Sequence, residues 1–365
     1  MKHIIAPLVA VLGFAGLSLA GELARTNDVN VVFRCTYAVA QEDSPPADIL
    51  ILGNSQAGAA IDTLYLEDLL AEQTGRRISI TKLPMTGSSP VPTRMLVRRY
   101  LAHRGAPDLV LMQPQFQRQD ADAKTPGAPI HLSDAMGHAS WSDLLALRED
   151  VVHDTGASPL PYWARAGYRN ELRLLTDRTV ANIAGILSAS RTRGQREFCD
   201  SEERYRLAGN WPYGDLPLQP GDLVGPILDD AGRAHWKDRM ARRAMLDLSS
   251  PERTFEIDQN RKLITELESA GTHVVLMTFP SLEREASDAR ETDEFAQLFE
   301  REMMSVDSIL TPSERAHLGR SFRDPVHVNF EGAQIITQAL ARKLADTHID
   351  AHVPASTSTI AHRRP

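Results

Sequence analysis

Asp48-Ile49-Leu50-Ile51-Leu52-Gly53-Asn54-Ser55 is the stretch whose reading decides the fold. Its apolar run does not alternate with polar residues, so it describes a strand covered on both faces. Gly53-Asn54 closes it in a turn. Residues 61–74 read as a helix with an apolar stripe at Leu64, Leu66, Leu69 and Leu70. Ile78 to Leu83 is a second strand, and Thr93 to His103 a second helix opened by Pro92. Asp108 to Met112 is a third strand, stopped by Pro114. Far downstream, 257–270 is a helix with Ile257, Leu263, Ile264 and Leu267 on one side, and Gly271 ends it. Val274 to Phe279 is a fourth strand. Phe330 to Leu344 is a final helix, with Ile336, Leu340 and Leu344 one turn apart and Asn329 at the cap position.

Strand, helix, strand, helix, strand is the rhythm of an α/β domain built on a parallel sheet with helices on both faces. The domain runs over 45–346. Its rhythm breaks between about 117 and 254, which reads as a mainly helical, loop-rich insertion marked by Pro159, Pro161, Pro212, Pro217, Pro220 and Pro226. All four tryptophans, Trp141, Trp163, Trp211 and Trp236, lie within it. Such aromatics suit a glycan-facing cap, but for most of them ordinary packing of an insertion onto a sheet is the better reading. Residues 347–365 read as a flexible polar tail. His348 and His352 there have a metal-compatible spacing but no third ligand nearby, so no metal is expected.

The chain has 365 residues, with 40 Lys and Arg against 48 Asp and Glu and a net charge of −8. That balance carries no whole-protein basic footprint, and no nucleic-acid partner is expected. The start of the chain, Met1-Lys2-His3 and then an apolar run from Ile4 to Ala20, directs export. Residues 1–25 fit a signal peptide cleaved after Ser18-Leu19-Ala20, and they fit a retained anchor continued by Gly21 to Arg25. The expected location is extracytoplasmic or periplasmic, held at the membrane by this segment if it is uncleaved. Export permits a disulfide between Cys35 and Cys199, and two unpaired thiols fit as well. Two cysteines in all exclude a disulfide-dense scaffold.

Two segments carry chemistry. Gly53-Asn54-Ser55-Gln56-Ala57-Gly58 follows the first strand, and Asp324-Pro325-Val326-His327-Val328-Asn329 precedes the last helix. Junctions of this kind converge at the carboxyl ends of the strands of an open parallel sheet. Ser55 at a helix mouth has outward-facing N–H groups that stabilise developing negative charge. A serine hydroxyl needs a base, which His327 supplies, and Asp324 fixes the tautomer of that imidazole. Gly53 to Ala60 lacks the lysine of a P-loop, and Gly-x-Gly-x-x-Gly is absent, so nucleotide chemistry has no fingerprint. Cofactor-free covalent acyl transfer fits best.

On these residues the chain resembles the SGNH (GDSL-type) hydrolase superfamily. Leu52-Gly53-Asn54-Ser55 is similar to its first block, with Asn54 where Asp is frequent, and Asp324-Pro325-Val326-His327 to its last. The resemblance covers roughly residues 48–116 and 257–344. It implies a three-layer, flavodoxin-like parallel sheet, with Ser55 as nucleophile, His327 as base and Asp324 as orienting carboxylate. It also implies an oxyanion hole made by the N–H groups of Ser55 and of Gly87 in Met85-Thr86-Gly87-Ser88-Ser89. The family's third block is changed. Met112-Gln113-Pro114-Gln115-Phe116 has no glycine, and Gln115 stands where the oxyanion asparagine is expected. One lost oxyanion donor costs roughly 3 kcal/mol of transition-state stabilisation.

The apolar N-terminus and the large insertion resemble the exported branch that includes alginate O-acetylation proteins. This implies a serine O-acyltransferase or esterase acting on a cell-envelope glycan, with an acyl donor or acylated glycan as substrate. A membrane-bound O-acyltransferase is the implied partner. The insertion, by excluding water, favours transfer over hydrolysis. The altered third block equally suits a non-catalytic glycan-binding or scaffolding subunit, and an anchored lipase is a third reading.

Overall fold

The computed structural model describes residues 36–37, 39–41, 44–85, 90–116, 146–147, 149–150, 251–281, 288–301, 303–322 and 326–347. The N-terminal segment, Cys35, Cys199, Gly87, Asp324, most of the 117–254 insertion and the tail with His348 and His352 lie outside the described residues.

A five-stranded, all-parallel sheet is the frame. Its strands are β1 (Ile49–Gly53), β2 (Ile80–Pro84), β3 (Leu109–Met112), β4 (His273–Thr278) and β5 (Met303–Ser305), in the order β2-β1-β3-β4-β5. The helices, in chain order, are α1 (Ser55–Ala60), α2 (Thr63–Thr74), α3 (Pro90–Arg104), α4 (Pro251–Ser269), α5 (Asp288–Phe299), α6 (Val306–Ile309), α7 (Pro312–Leu318) and α8 (Phe330–Thr347). Ile49, Leu50, Ile51 and Leu52 are all 0 % exposed. Alternate side chains enter opposite cores, as a strand's two-residue period requires. Ile49 and Ile51 join α1, α2 and α8 on one face. Leu50 and Leu52 join α3, α4 and Phe295 and Phe299 of α5 on the other. The sheet is thus a middle layer between two helical ones, and the order of its strands is compatible with a flavodoxin-like layout.

The four strands and four helices expected from sequence are present, with shifted ends. α2 begins at Thr63 because Asp62 caps it, accepting from Tyr65 N–H at 3.1 Å. α3 begins at Pro90, and Pro92 sits in its first turn, where backbone N–H groups have no intrahelical acceptor to lose. α4 begins at Pro251, six residues before the helix expected from Ile257. The short elements α1, α5, α6, α7 and β5 are additions to the sequence reading.

One described piece of the insertion is tied down. Asp150 receives the buried guanidinium of Arg94 on α3 at 2.8 Å and Lys262 of α4 at 2.9 Å. Burial alone would raise the Asp150 carboxyl, but these cations and Gln259 outweigh it and hold it below the usual carboxylate range. Among the described residues no helix is long and apolar enough to cross a membrane.

Lys82 is the unexpected core residue. It stands on β2 beside Ile51 and is 1 % exposed. Its Nζ donates to the carbonyl of Gly58 at 2.9 Å and to that of Ile61, at and beyond the end of α1. Burial draws its pKa down to about 7, against the opposing pull of the Asp62 carboxylate. Its ordinary value is 10.5, so between these limits the unfolded chain binds a proton that the folded chain does not. Unfolding free energy therefore rises with pH across this window, by up to about 1.4 kcal/mol per unit from this one group. Urea unfolding of wild type and Lys82→Met from pH 6.5 to 9.5 will show a stability difference that grows with pH in favour of the wild type. A difference independent of pH would show that Lys82 is charged throughout.

Candidate active site

The strand order puts a crevice where the chain leaves β1 for β2 on one side and later enters β3 on the other. Ligands of open α/β sheets bind at such a switch point, beyond the carboxyl ends of the strands. Ser55 comes one residue after β1 there, behind Asn54, and Gln113 directly follows β3. The ladder extends to the rim: Met85 N–H donates to Gly53 O at 2.7 Å and Gln113 N–H to Leu52 O at 2.9 Å.

Gly53 is needed at this rim for close approach. A Cβ on it would lie 2.5 Å from Ala57 Cβ and 3.0 Å from Gln113 Oε1. The chain then turns straight into α1. Asn54 caps that helix, its Oδ1 accepting from Gln56 N–H at 2.7 Å. The Asn54 N–H is taken by Gln113 Oε1 at 3.3 Å. The N–H of Ser55, at the first helical position, has no intrahelical acceptor.

His327 arrives from the far end of the sequence on a closed loop. Phe322 and Val328 form an antiparallel bridge, and Asn329 N–H donates to Ser321 O at 2.8 Å. Asn329 caps α8 as its position predicts, Oδ1 accepting from Gly332 N–H at 3.0 Å. Gly332 leaves room for this loop, since a Cβ there would meet Val328 Cβ at 2.6 Å and Ser321 O at 2.8 Å. α8 in turn packs on α1 and α2.

The result is a contact of 2.8 Å between His327 Nε2 and Ser55 Oγ, both half-buried. A hydroxyl held this way on an imidazole can pass its proton as it attacks an electrophile. Asp324 and Gly87, the expected orienting carboxylate and oxyanion partner, lie outside the described residues. Among the described residues no group of three or more His, Cys, Asp or Glu side chains is placed to hold a metal ion.

Gln115 is 2 % exposed and faces Thr93, whose Oγ1 donates to its Oε1 at 2.6 Å. Its backbone is clasped by Asn260, which accepts from Gln115 N–H at 3.1 Å and donates to Gln115 O at 2.9 Å. Its Nε2 has no partner among the described residues. The amide that borders the Ser55 turn is Gln113. The register explains this: Met112 pairs with Leu52, so Gln113 comes beside Gly53 and Gln115 lies two residues farther on. Gln56 and Gln113 are the residues missed from sequence. Only their places, after Ser55 and after β3, signalled them.

No protein-family model and no curated protein matches the chain.

Gly53→Ala will destabilise the protein by about 1–3 kcal/mol, because Ala57 and Gln113 have no free space to give. Thermal unfolding measures that loss. The same variant will slow covalent labelling of Ser55, since relief of the clash must move the turn that carries it.

Proposed function

We propose that this protein is an exported, serine-dependent O-acyltransferase or ester hydrolase of the SGNH kind, acting on a cell-envelope glycan through an acyl-serine intermediate. The observation that carries the reading is the 2.8 Å contact between Ser55 Oγ and His327 Nε2 at the switch point of a parallel sheet. The glycan, the acyl donor and a membrane-bound O-acyltransferase partner come from the family resemblance and the exported N-terminus.

Ser55 Oγ attacks the ester carbonyl carbon while His327 Nε2 takes the hydroxyl proton, with the ring's other proton on Nδ1. Asp324 accepts from that Nδ1–H and steadies the imidazolium. The carbonyl oxygen becomes an oxyanion and is met by the Ser55 N–H, with Gly87 N–H as the second donor. The family resemblance also gives Gln115 as an amide donor to the oxyanion, although the amide that borders the Ser55 turn is that of Gln113. The ester C–O bond breaks, and the leaving oxygen takes the proton from His327. A glycan hydroxyl or water then gives its proton to His327 and attacks the acyl carbon. Ser55 leaves with the proton restored. The carbohydrate acceptor gives transfer and water gives hydrolysis.

Incubation with a fluorophosphonate or with p-nitrophenyl acetate, followed by intact-mass and peptide mapping, will place one adduct on Ser55. Ser55→Ala will abolish it, and His327→Ala will slow it by at least about 1,000-fold. Asp324→Asn will reduce acyl turnover by roughly the same order, through loss of the correct tautomer. A wild-type protein that forms no adduct with either reagent refutes the reading and favours a scaffolding subunit. In cells, Ser55→Ala will then leave glycan acylation unchanged.

A further inference from the structure

Gln56 and Gln113 are buried amides, 6 % and 7 % exposed. Together they join three segments distant in sequence. Gln113 Oε1 accepts from Asn54 N–H at 3.3 Å, and Gln113 Nε2 donates to Gln56 Oε1 at 2.9 Å. Gln56 Nε2 donates to the carbonyl of Val326 at 3.4 Å. The direction of this chain is fixed at both ends, because a backbone N–H only donates and a carbonyl only accepts. Each amide therefore has one orientation. Turning either over sets like atoms against each other at both of its contacts.

This relay begins at the turn that carries Ser55 and ends on the residue immediately before His327. The other side of His327 has its own anchors, the Val328–Phe322 bridge and the Asn329 N–H on Ser321 O. The histidine thus has an anchor on each side, and Gln56 reaches the one before it. We infer that Gln56 is a positioning residue whose carboxamide, oriented by Gln113, sets the place of the His327 loop over Ser55. The role rests on the acyl-transfer reading of Ser55. Gln56 acts through the backbone on either side of the two reacting groups. The last link, at 3.4 Å, is longer than the roughly 2.7–3.2 Å of a strong N–H···O bond.

The test compares wild type, Gln56→Glu and Gln56→Met, each with its thermal midpoint. Glu keeps the acceptor for Gln113 and sets an oxygen against Val326 O. Both variants will label at Ser55 with fluorophosphonate about 10–100-fold more slowly than wild type. With p-nitrophenyl acetate, kcat will fall by the same factor and KM will stay within about twofold. The decisive readout is the rate ratio to wild type against pH. A protonated Glu regains a donor for Val326 O, so the Gln56→Glu ratio will climb as pH falls through the carboxylate range, while the Gln56→Met ratio stays flat. Wild-type labelling rates in both variants, or equal deficits at every pH, overturn the positioning role alone. A wild type that does not label at Ser55 overturns the acyl-transfer reading and the positioning role with it. Should Gln56→Glu lose its thermal transition, Gln56→Met, of similar volume, carries the rate comparison.

Discussion

The contact between Ser55 Oγ and His327 Nε2 joins points 272 residues apart. Closing a loop of that length costs conformational entropy, and one hydrogen bond worth about 1 kcal/mol does not repay it. The contact is a consequence of two supports that are each fixed by the core. On one side β1 is buried on both faces and leads without a linker into α1. On the other, α8 lies on α1 and α2, and the His327 loop is clasped to its start. Ser55 and His327 meet because one helical layer carries both partners.

That dependence explains which parts of the architecture were legible. β1, β3 and β4 are apolar runs bounded by Gly, Pro or Asp and are legible as buried strands, whereas β2 breaks its run with Thr81 and Lys82. β5 is three residues, Met-Met-Ser, at a sheet edge, too short for any period. α1 is Ser-Gln-Ala-Gly-Ala-Ala, with small residues that show no apolar stripe. It is helical because it is caged, with Gln56 to Ala60 all buried. The start of α4 is less legible, because its first turn, Pro251 to Thr254, shows no apolar stripe, and the helix is gripped by Arg94 from α3 farther along.

The site was legible where chemistry selects the residue and illegible where geometry does. Ser55 and His327 announce themselves by type and by place at element ends. Gln113 is marked by register alone, since nothing in Gln-Pro-Gln distinguishes the amide beside Gly53 from the one two residues beyond. Lys82 runs against type altogether. A lysine in a strand reads as a solvent-facing position, but here two carbonyls below α1 need donors, and a long stem with several N–H groups reaches both.

A six-residue helix has little stability of its own, because nucleation costs more than so few bonds return. The element that presents Ser55 is therefore held by its surroundings: Asn54 at its start, Lys82 at its end, Gln113 beside its turn and the apolar face of α8 against it. Each support is polar and directional except the last, so each fixes an angle as well as a distance. Apolar packing alone would hold α1 in the layer yet leave it free to slide by a fraction of an ångström. A slide of that size would break the 2.8 Å contact between the Ser55 hydroxyl and an imidazole from another part of the chain. The buried polar groups around α1 are costly to stability and specific in placement. A site that needs one arrangement of two distant loops gains more from specificity than from the added stability of an apolar replacement.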